Sequence, residues 1–246
     1  MTAMIIEETR PRPVPVHQPA YLPWPGYFSR LLDADRFVIL DHVQYNARSF
    51  QNRNYIGRDQ RHLLTIPVTQ TFGQTIRQVR PADNTWRARH WRSLTHAYGK
   101  AAHWRTWETR LEEIYAHPWD CLTSVNMALI QLLLDAFGIE VELLYSSRLM
   151  PSGAKTAMLI DLCGKVGADS LVVGEGAPTY LDGTALAEAN VSVQIASYNH
   201  PAYPRGRHRF LPGLSALDLL LHCGPDARAI LQAGAGTRPY LIGAGS

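Results

Sequence analysis

Two histidines head nearly the same phrase at opposite ends of the chain, His17 in HQPAYLPWPGYF (17–28) and His200 in HPAYP (200–204). Each follows an alternating apolar run, Val14 and Val16 before the first, Val191, Val193 and Ile195 before the second. An imidazole changes charge close to neutral pH. Either His17 or His200 therefore suits the general base that an attacking ammonium group requires. Asp41, opening the polar phrase DHVQY (41–45), is the candidate catalytic carboxylate beside them.

Other residue types point to binding. The loop after His17 contains Pro19, Pro23 and Pro25, which remove backbone donors and fix the chain. It is thus no glycine-rich phosphate cradle. It reads as a preformed wall that holds Gln18, Tyr21, Trp24 and Tyr27, or else as an aromatic plug over the end of a sheet. In DHVQY, strand alternation puts Asp41, Val43 and Tyr45 on one side and His42 and Gln44 on the other. In FQNRNYI (50–56) the planar fork of Arg53 fits carboxylate or phosphate, with Asn52 and Asn54 to orient it. Ser147 follows a strand, and Lys155 opens a helix after PSG, a place where anions are favoured. Glu175 lies between two glycines, Tyr180 follows soon after, and Tyr203 completes the second loop as a cleft residue.

Some chemistries are disfavoured. Cys121, Cys163 and Cys223 form no CxxC pair, which argues against a disulfide framework or a thiolate zinc site. Cys163 sits in an apolar helical pattern and reads as a small buried hydrophobe. Asp218 and His222 stand four apart but lack a third ligand. Neither metal nor cofactor is expected.

These residues need elements to place them. PVPVH, RFVILDHVQY, HLLTIPV, IEVELLYSS, DSLVVGEG and VSVQIASY read as strands. Helices are expected around 27–34, 85–115, 120–137, 155–166, 181–190 and in SALDLLLHCG, with stops at Gly138 and Gly167. Pro67 marks HLLTIPV as near an edge. The alternation predicts an α/β fold: a mostly parallel sheet with helices on both faces, Rossmann-like, plus a helical insertion at about 85–137. In such sheets ligands bind beyond the carboxyl ends of the strands. Both histidine loops, DHVQY, Ser146–Ser147 and Gly174–Gly176 all follow strands, so they should share one rim. Residues 1–13 and 233–246 read as tails around one domain.

With 246 residues, 46% hydrophobic and 18% charged, the composition is that of an ordinary globular protein. No membrane span and no secretory signal are evident, so the cytoplasm is expected. A net charge of +3 is mild. Locally, Arg89, Arg92, His96, Lys100 and His103 recur at helical spacing, interleaved with Trp86, Trp91, Trp104 and Trp107. That stripe is either a solvated face or a docking surface for an acidic partner or RNA.

In order, HQPAYLPWPGYF, ADRFVILDHVQY, FQNRNYI, LTIPV, SSRL, DLCGKVGADSLVVGEGAPTYL and HPAYPRG resemble the WbqC-like family, over about residues 14 to 225. The resemblance implies a biosynthetic enzyme that helps modify an amino sugar in polysaccharide assembly, or builds an amide in a specialised metabolite. A fold-level likeness to nucleotidylyltransferases and pantothenate synthetase is weaker, because Pro25-Gly26-Tyr27 stands where those carry HxGH. The leading expectation is acyl or aminoacyl transfer to a small-molecule amine. Arg53 and Lys155 would grip an anionic group, and an acyl- or peptidyl-carrier protein could deliver the donor. The alternatives are a nucleotidylyltransferase-like or ATP-dependent ligase activity, and a non-enzymatic module docking an acidic carrier protein or, less favoured, RNA.

Overall fold

The computed structural model describes residues 13–240. In chain order its strands are β1 (Val14–His17), β2 (Arg36–Ile39), β3 (Arg53–Gly57), β4 (Arg61–Thr65), β5 (Val68–Thr69), β6 (Arg80–Pro81), β7 (Glu142–Tyr145), β8 (Ser170–Gly174), β9 (Ser192–Tyr198) and β10 (Ala235–Pro239). Its helices are α1 (Pro25–Ser29), α2 (Thr85–Tyr98), α3 (Trp104–Ala116), α4 (Leu122–Phe137), α5 (Ser146–Leu149), α6 (Lys155–Val166), α7 (Gly183–Glu188), α8 (Ala216–Cys223) and α9 (Ala227–Gly234).

Six strands form one sheet in the order β10-β9-β8-β1-β2-β7. β9, β8, β1, β2 and β7 are parallel, and β10 closes the β9 edge antiparallel. Their apolar content explains the burial: Val14, Val16, Phe37, Val38, Leu171 and Val173 are all inside. A strand covered on both faces needs such a run. On one face Val14, Val16, Leu171, Val173, Val193 and Ile195 pack with Met158, Leu159 and Leu162 of α6 and Leu186 of α7. On the other, Phe37 and Ile39 meet Tyr27 and Phe28 of α1 together with α4 and α8. From β1 the chain steps through α1 to β2, then returns after β7 through α6 to β8 on the opposite flank of β1. The carboxyl ends of β1 and β8 therefore flank the point where the winding reverses, the usual ligand crevice of such sheets.

Several elements differ from expectation. The expected helix at 85–115 is two, because the chain turns after Gly99 and the His103 N–H bonds the Leu221 carbonyl of α8. FQNRNYI, not among the expected strands, supplies β3, which pairs with β4 in a hairpin outside the main sheet. β2 stops at Ile39, where the Asp41 N–H turns back to the Ile39 carbonyl, so strand alternation does not apply to DHVQY. α1 is only five residues long. The insertion between β2 and β7 thus holds two hairpins as well as α2, α3 and α4. The glycine-rich end, expected as a tail, contains β10, which bonds along β9 from Tyr198 to Gln194. Residues 1–12 and 241–246 of the expected tails lie outside the described residues. The stops at Gly138 and Gly167 are observed.

Two polar clusters bind the loops to this frame. The Arg205 and Asp218 side chains are wholly buried and paired at 2.8 Å. Arg205 also donates to the carbonyls of Gly57, Arg58 and Arg209. Buried guanidinium is costly unless its donors are used, and here they are spread over the β3–β4 turn, the 204–209 loop and α8. In the second cluster the His90 Nε2–H donates to the Thr65 carbonyl, leaving Nδ1 to accept from Tyr21 Oη at 2.8 Å. Tyr115 completes the chain at 2.7 Å from Tyr21.

Candidate functional site

β1 delivers His17 to the carboxyl rim, and the prolines that follow fold the loop back over it. The His17 Nδ1–H donates to the Gln18 carbonyl at 2.9 Å, which leaves Nε2 with its lone pair. Burial, helped by the nearby Arg30 cation, lowers its pKa to about 3. His17 is therefore neutral at pH 7 and a weak base. Its ring meets Tyr27 edge-on at 4.9 Å, and the Tyr27 hydroxyl donates to the Gln18 carbonyl. The Gln18 side chain accepts from Gln51 Nε2 at 2.7 Å, and Gln51 is held in turn through its carbonyl by Asn126.

His17, Tyr27, Asn54, Trp24, Pro23 and Phe50 line a cavity of about 220 Å³, closed by Ala20 and Gly213. Asn54 is fixed by donating to the Leu22 carbonyl at 2.6 Å. The Trp24 indole lies across Gly26 so closely that a Cβ there would enter the ring. That contact explains the glycine and leaves the start of α1 covered by an aromatic ring. Trp24 also meets His200, ring centroids 5.3 Å apart, and His200 touches Tyr198 at 5.1 Å. His17 and His200 thus lie on one rim, joined through Trp24. Burial and the Arg61 cation lower the His200 pKa below its ordinary value. Arg61 also approaches Gly213, 3.8 Å from the place a Cβ would occupy.

A second cluster stands where β2 and β7 end. Asp41 is buried and accepts from the Ser146 hydroxyl, the Ser147 N–H and the Ser147 hydroxyl at 3.1, 2.9 and 2.6 Å. With its proton given to Asp41, Ser146 Oγ accepts from the His42 Nδ1–H at 2.6 Å. His42 is partly exposed, and its pKa is lowered mainly by burial. Ser146 itself is inaccessible, so this is an Asp–Ser support for an imidazole rather than a nucleophilic serine.

The structure therefore gathers His17, Tyr27 and Asn54 around one cavity with His200 beside it, ties Gln18 to His17, Tyr27 and Gln51 next to that cavity, and groups Asp41 with Ser147 elsewhere on the rim. Tyr21, Asn52 and Tyr203 face inward: Tyr21 bonds His90 and Tyr115, Asn52 donates to the Ile66 carbonyl, and Tyr203 donates to Asp218. None of the three is accessible enough to meet a substrate. Gln44 is exposed in a bridge to Thr75, and Arg53 lies near Tyr45. Lys155 and Tyr180 are exposed on the α6 and post-β8 segments. Glu175 is exposed on the rim, near enough to Arg30 to favour its charge. Gln51 and Phe50 were not singled out by type and spacing, and His42 and Ser146 were placed on the rim without a role. Their roles come from contacts between segments far apart in the chain. Among the described residues no group of three or more His, Cys, Asp or Glu side chains is arranged to hold a metal ion, and no helix is long and apolar enough to cross a membrane.

A doubly wound, mostly parallel sheet with a polar site on its carboxyl rim defines a Rossmann-like α/β protein. The chain belongs to the WbqC-like protein family, which matches residues 18–230. It is similar to the uncharacterized protein Rv1507c of Mycobacterium tuberculosis, 32% identical over 224 residues that cover 89% of this chain and 97% of the relative. No solved structure matches the chain.

Proposed function

We propose that the protein transfers an acyl or aminoacyl group from an activated donor, of the thioester class, to an amine in polysaccharide or specialised-metabolite assembly. The observation that carries this is His200, a partly exposed imidazole kept neutral by burial and by Arg61, beside a small, largely apolar cavity. A neutral imidazole can take the proton that an ammonium nucleophile must lose. The amine lone pair attacks the acyl carbon, a C–N bond forms and the C–S bond breaks. The proton taken by His200 leaves with the thiolate, and the second proton that the nitrogen sheds on becoming an amide is released to solvent. His17 is too weak a base for that step and serves through Nε2 as a hydrogen-bond acceptor for the amine. Arg61, whose charge acts on His200, takes the anionic part of the donor.

The ATP-dependent reading finds less support. Triphosphate sites use glycine-rich backbone at an open helix start, whereas here the loop is proline-rich and Trp24 covers Gly26. The test is to incubate the protein with acyl- and aminoacyl-pantetheine thioesters and a panel of amines, with and without ATP. Thiol release matched by amide, independent of ATP, is expected. Amide formed only with ATP would replace transfer by ligation, and no amide from any thioester would remove the proposal.

A further inference from the structure

A concentration of positive charge lies away from the rim cavity. Arg58 comes from the β3–β4 turn, Arg89 and Arg92 from α2, Lys100 from the turn just after it, and Arg207 and Arg209 from the loop before α8. These segments converge on two adjoining hollows of about 790 and 690 Å³ that share Arg58, His96 and Ala97. Among the described residues that line them the sole acid is Asp59, already held by His208 at 2.7 Å and Arg58 at 3.7 Å. Without these six cations and Asp59 the rest of the chain would carry a net negative charge, although the whole carries +3. A stripe on one helix could be a solvated face. Three segments brought together are harder to explain that way, because like charges held close repel. The fold holds them with the buried Arg205, whose guanidinium donates to the backbone carbonyls of Arg58 and Arg209.

We infer that this groove docks an acidic protein, presenting carboxylates from a helix. Charge complementarity gives the sign of the partner. The lining gives its class. Ala97, Ala101, Ala102 and Gly206 let a partner backbone approach closely, while arginine forks suit carboxylates. Among the described residues no Phe, Tyr or Trp lines either hollow, whereas single-stranded nucleic acids are bound on aromatic platforms. The tryptophans of this region are turned away: Trp86 and Trp104 are buried, and Trp91 stacks on Trp104 at 5.4 Å. This inference stands independently of the acyl transfer proposed above.

Fluorescence anisotropy of the full chain with a labelled Glu-rich helical peptide, and with an RNA oligonucleotide of equal net charge, tests it. The peptide is expected to bind at low salt and to weaken at least about tenfold as salt approaches physiological strength. Replacing Arg89, Arg92 and Lys100 together by Ser, or Arg207 and Arg209 by Ser, should each weaken it about tenfold or more while thermal melting is retained. Replacing the exposed Arg105 by Ser, on α3 outside the groove, should leave it unchanged. No peptide binding at low salt, equal binding by both groove variants, or tighter binding of the RNA would each overturn the assignment.

Discussion

At His200 two effects act in one direction, since burial and the Arg61 cation both disfavour the imidazolium. The folded pKa lies below the ordinary value of about 6.5, so the base is available across neutral pH and is lost only in acid. The acid limb of the kcat/KM profile for amine acylation should accordingly fall below about pH 6.5. Replacing Arg61 by Gln should move that limb upward. His200→Gln should stay folded and lose about 10²- to 10⁴-fold in turnover, with part restored at high pH where free amine needs no base. Full turnover by the folded variant would sink the assignment. His17 and His90 bear on stability instead. Their pKa values, lowered to about 3 and about 4 mainly by burial, make the unfolded chain the better proton binder between those values and about 6.5. Stability should therefore fall with pH through that window, by about 1.4 kcal/mol per pH unit for each histidine. Urea unfolding from about pH 7 to about pH 5 measures the slope, and His90→Gln should make it shallower. An unchanged slope would show that His90 protonates equally in both states.

At the scale of elements, the Arg205–Asp218 pair decides how the β3–β4 hairpin and the 204–209 loop sit on α8. Asp218 accepts from Arg205 and from the Tyr203 hydroxyl, all of them buried. Asp218→Ala leaves a buried cation without its counter-ion and the Tyr203 hydroxyl without an acceptor, and truncating one side of such a pair costs about 3–5 kcal/mol. Denaturant titration should show that loss, while Arg205→Met with Asp218→Leu should recover part of it. A loss below about 1 kcal/mol would mean that the segments are held by other contacts. Trp24 does comparable work on the rim, where one indole covers Gly26, walls the cavity and contacts His200.

Across the whole molecule, the rim cavity and the basic groove are different surfaces linked by one hairpin. Asn54 of β3 lines the cavity and Arg58, just past the end of β3, lines the groove. If the two act separately, the Arg89, Arg92 and Lys100 triple Ser variant should acylate a small amine from a small thioester at the wild-type rate. Exposed charges steer encounter and are screened beyond about 10 Å at 0.1 M salt. Lost turnover of small substrates by the folded variant would place α2 in the active site. A donor delivered on an acidic protein would instead lose rate with the same variant, in a salt-dependent way.

The strand–helix alternation was legible because each buried strand needs its own apolar run, and Val14–Val16, Leu171–Val173 and Val193–Ile195 supply them. From that alternation the shared carboxyl rim followed, and with it the placement of His17 and His200 on one edge. Helix stops at Gly138 and Gly167 were equally local. Local pattern could not separate a strand from a loop in FQNRNYI, whose β structure depends on pairing with residues 61–65. It also read Tyr21 and Tyr203 as cleft residues, because a tyrosine in a loop looks the same whether its hydroxyl meets solvent or a buried acceptor. Only the packing of distant segments decides that. Tertiary structure alone brought His90 and Tyr115 to Tyr21, Asp218 to Tyr203 and Arg205, and three basic segments to one groove. Periodicity is written into neighbouring residues, whereas burial of a polar group is set by partners tens of residues away.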